Sequence, residues 1–171
     1  MQFGRLPSGT VTEPLTGPDA SAATAPEATE PAASDPRTIV VAAIVFRDAE
    51  GRVLTVRKRG TDRFMLPGGK PEAGETPIET AVREVEEELR MRVDAAQLWQ
   101  LGVFHAAAAN EAGHRVTSTV FVHSADPKCL REGLPEPAAE IAEVRWTDPS
   151  QEHADIAPLL ATQVFPALLA R

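Results

Sequence analysis

An α/β layered domain is the fold class this sequence predicts, and three observations carry it. From residue 38 onward, short runs of β-branched residues, a capped amphipathic helix, further such runs and an apolar C-terminal stretch follow one another. Strands then helix, twice over, is the element order of layered α/β domains. The length, 171 residues with 43% hydrophobic, suffices for one sizeable core and not for two.

Residues 1–37 form a compositional zone apart, dominated by Ala, Pro, Thr and Glu, with prolines at 7, 14, 18, 26, 31 and 36. Such a segment cannot bury enough apolar surface to offset its ordering entropy. A disordered Ala/Pro-rich tail is expected there, and a single folded domain over 38–171. Residues 38–46 are apolar and β-branched, which reads as a buried strand. Asp48-Ala-Glu-Gly51 supplies a turn, and residues 52–57 are expected to return as the paired strand. Residues 60–69 read as a loop with a brief extended stretch at 64–66.

The helix begins at a capping box: Thr76 as N-cap, Pro77 at the first helical position and Glu79 three residues after the cap. Ile78, Ala81, Val82, Val85 and Leu89 then recur at helical spacing and predict the buried side. Two strands follow, near 98–107 and 115–124, joined by residues 110–113. A Pro-rich loop over 127–137 precedes a strand at 141–146. Residues 156–169 predict a packed helix, with Pro158 near its start and Pro166 limiting its end. There is no internal repeat.

Charge and cysteine content exclude several classes of function. The net charge of −8, from 17 basic and 25 acidic side chains, argues against nonspecific binding to nucleic-acid polymers. One cysteine, Cys129, rules out an intrachain disulfide framework and suits a reducing, cytoplasmic setting. No apolar run approaches the ~20 residues that span a bilayer, and no signal-peptide core opens the chain. The histidines at 105, 114, 123 and 153 lack ligand spacing and read as surface or strand residues.

The chemistry is concentrated between Gly69 and Glu88. Two loop glycines (Gly69, Gly74), a loop carboxylate (Glu75), an arginine (Arg83) and the helix carboxylates Glu84, Glu87 and Glu88 stand at set spacings. At about 100° per residue the three glutamates fall within about 100° of one helix face. The apolar residues centre about 120° away from them. Like charges so close repel unless a cation neutralises them, and clustered oxygen donors are what a hard metal takes. The pattern points to Mg²⁺-dependent phosphate chemistry.

These residues resemble the Nudix box, G-x5-E-x7-R-E-U-x-E-E-x-G-U, with U a bulky aliphatic residue. Gly69, Glu75, Arg83, Glu84, Val85, Glu87, Glu88 and Met91 match it in register, and Arg90 replaces its last glycine. Glycine there ends the helix in a left-handed conformation, so arginine costs about 1 kcal/mol or the helix ends differently. The resemblance extends more loosely over residues 38–147. It implies an α/β/α sandwich with a mixed sheet, and hydrolysis of a nucleoside diphosphate linked to another group, with Mg²⁺ (or Mn²⁺) as cofactor. It further implies that Glu84, Glu87, Glu88 and the Gly69 carbonyl bind metal, with Glu84 also available as base. Arg83 and Glu75 would pair beside them. Glu140, ahead of the strand at 141–146, would contact metal or activate water, while Glu143 is read as facing outward.

Five cations, Arg57, Lys58, Arg59, Arg63 and Lys70, crowd ahead of the carboxylate helix. Of these, Arg57 is the first choice to meet substrate phosphates, with Arg63 and Lys70 beside it. Phe64 is read either as a base-stacking surface or as core. Subfamily marks implied by the resemblance mostly subtract. There is no tyrosine for the adenosine-polyphosphate class, Ala106 and Ala107 stand where the ADP-ribose class has proline, and the NADH element is absent. Leu54-Thr55-Val56-Arg57 resembles the coenzyme A motif only in part. A MutT-like enzyme for (d)NTPs or oxidised nucleotides remains, supported by Gly68-Gly-Lys70, with ADP-ribose hydrolysis as the alternative. A non-catalytic sensing module is disfavoured by the three retained glutamates. The isomerase branch of the superfamily is disfavoured by the distance of Cys129 from the box. A small-molecule nucleotide is the expected partner, with the protein a monomer or homodimer.

Overall fold

Alternation along one strand sets the architecture. The computed structural model describes residues 37–108, 112–124, 130 and 133–171. The expected tail lies outside the described residues apart from Arg37, as do Cys129 and parts of the 110–113 turn and 127–137 loop. β1 (Thr38–Val45) turns Ala43 and Val45 to one side, and Ala42 and Ile44, followed by Phe46, to the other. Two cores result. The first joins Ala43, Val45, Val120 and Val122 to Leu160, Val164, Phe165 and Leu168 of the C-terminal helix. The second joins Ala42, Ile44, Phe46 and Phe121 to Ala81, Val85 and Leu89 of α1 (Pro77–Leu89). Helices on both faces of strands make the expected α/β/α sandwich.

Two sheets share the layer. β4 (Gly68–Gly69), β1, β6 (Arg115–His123) and β5 (Leu98–Ala107) lie in the order β4-β1-β6-β5. The sheet is mixed: β1 runs parallel to β6 and antiparallel to β4. β3 (Phe64–Met65), β2 (Val53–Lys58) and β7 (Ile141–Thr147) form a second, antiparallel sheet in the order β3-β2-β7. This corrects one sequence expectation. The chain does turn at residues 48–51, where Asp48 N–H donates to the Arg52 carbonyl. Beyond Phe46 and Leu54, however, β1 and β2 part into different sheets. β6 takes one edge of β1 along all eight residues and β4 takes the other at Ala42 and Ala43, so little edge is left for β2.

The C-terminal helix reaches residue 169 as expected, but Pro166 lies within it and does not limit it. Proline inside a helix cannot donate and clashes with the carbonyl four residues back. The chain does not stop there. It widens into a π turn over Leu160–Val164, in which Phe165 N–H donates to the Leu160 carbonyl, and continues as α2 (Phe165–Leu169). The wider turn absorbs the proline. Among the described residues no helix is long and apolar enough to cross a membrane.

α1 starts as its sequence predicts. Thr76 N–H donates to the Glu79 carboxylate at 2.8 Å, and the Thr76 hydroxyl accepts from Glu79 N–H at 3.4 Å. It ends with Arg90 in the left-handed region, φ 55°, its N–H donating to the Glu86 carbonyl. Arginine thus takes up the backbone conformation that glycine adopts without a steric penalty. Arg90→Gly should therefore raise stability by about 1 kcal/mol, or about 3 °C in Tm. Thermal unfolding of the two proteins checks this, and no gain would mean that contacts of the arginine side chain offset the strain.

Candidate active site

The site is assembled around the two-residue strand β4. Gly68 has φ +148°, and a Cβ there would stand 2.2 Å from the Ala42 carbonyl oxygen. A Cβ on Gly69 would stand 2.4 Å from the Glu84 carboxyl group. Only glycines let this strand lie between β1 and α1 with a carboxylate against its backbone. The Gly68 N–H donates to Glu88 Oε2 at 3.0 Å, which ties the other side of the strand to the helix.

The three helix glutamates occupy unequal environments. The Glu88 side chain is 2% exposed, Glu84 is largely covered, and Glu87 is 54% exposed. Spacing alone groups them on one face; the overlying sheet grades them from interior to solvent. Burial pushes the Glu88 carboxyl up to about 7, against the opposing pull of Lys58 and the Gly68 N–H. Its Oε1 is the one buried side-chain oxygen or nitrogen among the described residues with no hydrogen bond. Lys58 Nζ stands 3.2 Å from it, near enough for an ion pair but not aligned for a hydrogen bond.

Arg83 organises the loop end of the site. Its Nε and Nη2 donate to the two Glu75 oxygens at 2.7 and 3.1 Å, and Nη2 also reaches the Lys70 carbonyl at 3.0 Å. Its Nη1 bridges Glu84 at 3.1 Å and Glu87 at 3.3 Å. The Arg83 hydrogen bonds, aided by the Glu72 N–H, hold the Glu75 carboxyl down at about 2, while Glu75 in turn raises Arg83. The pair expected between residues 75 and 83 is present, and it clamps the loop to the helix.

Glu140 arrives from the opposite side. Ala138 N–H donates to the Glu88 carbonyl and Arg59 N–H to the Glu140 carbonyl, which docks this loop against α1 and β2. Ala139, at φ 47°, makes the turn that brings Glu140 round. The Glu140 carboxylate, 59% exposed, pairs with Lys58. Burial works against the Lys58 charge, but Glu140 and Glu88 outweigh it and hold the ammonium above lysine's ordinary range.

A cavity of about 570 Å³ opens from this cluster. Glu84, Gly69, Lys58, Arg59, Lys70 and Glu140 line its polar end, and aliphatic residues such as Ile39, Val41 and Leu159 line the rest. Two expected phosphate contacts are engaged elsewhere. Arg57 pairs with Glu143 at 2.9 Å and donates to the Thr61 carbonyl, and Arg63 donates to the Ala154 carbonyl. Strand alternation explains Arg57 and points to the residue that was passed over. Leu54 and Val56 of β2 face α1, so Lys58, two further on, shares their side while Arg57 takes the other. Phe64 is 3% exposed, with the Arg145 guanidinium 3.7 Å from its ring centre, so it fills the core and presents no face to a base.

The donors suit a hard divalent cation in kind: carboxylate oxygens, a glycine backbone held open for one of them, and a buried oxygen without a hydrogen bond. No three of the described His, Cys, Asp or Glu side chains converge to enclose a cation as they stand. Arg83 between Glu84 and Glu87, and Lys58 beside Glu88, take up their charge instead.

A family model for the NUDIX domain matches residues 36–167, and on that span the chain belongs to the Nudix family of pyrophosphohydrolases, whose members generally use divalent metal ions. It is similar to a MutT-like protein of Streptomyces ambofaciens, 29% identical over 132 residues, which covers 77% of each chain. It is also similar to an 8-oxo-dGTP diphosphatase of Haemophilus influenzae, 40% identical over 70 residues, covering 39% of this chain and 52% of that one. The fold matches the crystal structure of a MutT NUDIX hydrolase from Burkholderia pseudomallei with a TM-score of 0.59 at 21% identity, covering 77% of this chain and 96% of that one.

Two predictions follow from the geometry. Gly68→Ala sets a Cβ against backbone and should lower Tm sharply, whereas Gly69→Ala meets only the movable Glu84 side chain. The latter should leave a cooperative unfolding transition yet remove most activity, as unfolding and turnover assays on both variants would reveal. Glu75, depressed to about 2 in the folded protein, contributes stability that is complete above its unfolded value of about 4.3 and is lost as the pH falls toward 2. The Tm deficit of Glu75→Gln should thus be largest near neutrality and close on acidification. A deficit independent of pH would mean the charge is not what clamps the loop.

Proposed function

We propose that this enzyme hydrolyses a (d)NTP or an oxidised nucleotide to the monophosphate and pyrophosphate, with Mg²⁺ as cofactor. The observation that carries the reading is the buried Glu88 oxygen left without a hydrogen bond, held beside the Gly68–Gly69 strand and Lys58, which themselves line a cavity with cations at one end. Similarity to a MutT-like protein and to an 8-oxo-dGTP diphosphatase supports the substrate class.

Gly69 O, Glu84, Glu87 and Glu88 would hold the cation, Glu84 and Glu87 by leaving Arg83. When bound, Mg²⁺ would supply positive charge to the bridging and leaving oxygens. Lys58, Arg59 and Lys70 meet the phosphates from the cavity's polar end, and the aliphatic walls hold the nucleoside. Water attacks one phosphorus, the bridging P–O bond breaks, and pyrophosphate leaves. Glu84 and Glu140 are the carboxylates that line the cavity, and the proton of the attacking water passes to one of them. Arg83 and Glu75 keep the glycine strand and α1 in register throughout.

Incubation with Mg²⁺ and a panel of canonical and oxidised (d)NTPs, ADP-ribose, dinucleoside polyphosphates and coenzyme A, with products read by mass spectrometry, tests this. Monophosphate plus pyrophosphate, lost in Glu87→Gln, is the expected result. AMP plus ribose 5-phosphate would transfer the assignment to ADP-ribose.

A further inference from the structure

We propose that Lys58 is an exchangeable counter-ion of this centre: its ammonium neutralises Glu88 in the resting protein, leaves when a divalent cation arrives, and turns to the substrate phosphates. The inference rests on the hydrolase reading of the same site.

Three features of the structure converge on it. Glu88 is nearly sealed from solvent, its Oε2 is taken by the Gly68 N–H, and its Oε1 has no hydrogen bond, so Oε1 is the oxygen it can offer to a cation. Lys58 Nζ stands beside that same oxygen at 3.2 Å. Two cations sharing it would repel strongly at the effective dielectric of a protein site. A divalent cation on Oε1 therefore evicts the ammonium. The ammonium has somewhere to go, because Lys58 also lines the cavity and its stem leaves β2 on that side. Its second partner, Glu140, is largely exposed and sits on a loop, so the ammonium is tethered there without being locked. Lysine suits this task better than arginine, since a compact ammonium on a flexible stem shifts without breaking a planar fork of bonds.

Exchange of this kind ties the two ligands together. The cation frees a positive charge into the cavity, and phosphates arriving there stabilise the displaced ammonium. Lys58 acts on metal binding as a competitor and on substrate binding as a contact. A structural lysine would have one sign of effect on both.

The test uses the full chain and Mn²⁺ alone, titrated by electron paramagnetic resonance at pH 9, where carboxylates are ionised. Lys58→Met should bind Mn²⁺ more tightly, by about tenfold, because the competing charge is gone. Lys58→Gln, which keeps a donor for Glu140 without the charge, should do the same, and serves if the methionine variant does not fold. Lys58→Arg should stay near the wild type. Unchanged or weaker Mn²⁺ binding in both neutral variants would overturn the proposal. On the nucleotide that the wild type hydrolyses, KM should rise in Lys58→Met even as the metal requirement falls; a fall in both affinities would mean a structural lysine. Absence of turnover by the wild type would count against the hydrolase reading, and the Mn²⁺ titration would still decide the exchange.

Discussion

The rest of the site depends on the burial of one ionisable carboxyl group. Glu88 sits on the side of α1 that also packs apolar residues against β1, where a charge is costly unless it is paired and hydrogen-bonded. Two neighbours answer that cost, and a third segment docks on the same residue's backbone. The Gly68 N–H reaches it because β4 has no side chain at that point, Lys58 reaches it from β2, and the 138–140 loop docks on its carbonyl. Each comes from a different part of the chain. Placing one carboxylate in the interior thus draws the glycine strand and the lysine strand to the same spot, and Lys58 in turn pairs with Glu140. The same burial raises the carboxyl to about 7, against the pull of Lys58 and the Gly68 N–H.

Much of this was legible in the sequence because local rules govern it. The places of the longer strands follow from β-branched runs, and the α1 start from the Thr76–Glu79 box, whereas β4, two glycines within what reads as a loop, has no such signal. The Glu75–Arg83 clamp follows from the family resemblance. What was not legible needs tertiary knowledge. No local signal says that β1 has both edges occupied and must part from β2, since β6 lies some seventy residues further on. The helix was expected over 156–169 with Pro166 limiting its end, and nothing in its neighbourhood tells that a π turn will accommodate the proline. Lys58 is a different case. The period of two along Leu54, Val56 and Lys58 was available and points it toward α1; position at the end of the strand favoured Arg57, which alternation turns to Glu143.

Arg90 shows a local rule and a tertiary demand in conflict. Propensity disfavours arginine in the left-handed region, yet the helix ends there, because Leu89 and Met91 on either side are both buried in the α1 core. Moving the turn by one residue would expose one of them. Burying such a side chain contributes about 1.5–3 kcal/mol, more than the strain of about 1 kcal/mol at one residue. Packing wins, and the backbone conformation that glycine would adopt is reached without glycine.

Two internal cations frame the carboxylates in chemically distinct ways. Arg83 uses Nε and both terminal nitrogens, spreading five hydrogen bonds over Glu75, Glu84, Glu87 and the Lys70 carbonyl. The bidentate grip on Glu75 alone satisfies the geometry of a planar fork, so its hold on the loop does not depend on Glu84 or Glu87. Those two carboxylates receive one bond each, at 3.1 and 3.3 Å, both from Nη1, and one ends at a solvent-exposed side chain. Arg83 can therefore release Glu84 and Glu87 while still anchoring residues 70–75 to α1. Lysine in its place would supply one point charge and no fork, and would have to give up the loop in order to hold the helix carboxylates. The division of labour between a fixed clamp and a releasable contact is a property of the guanidinium itself, and it leaves the register of the glycine strand independent of Glu84 and Glu87.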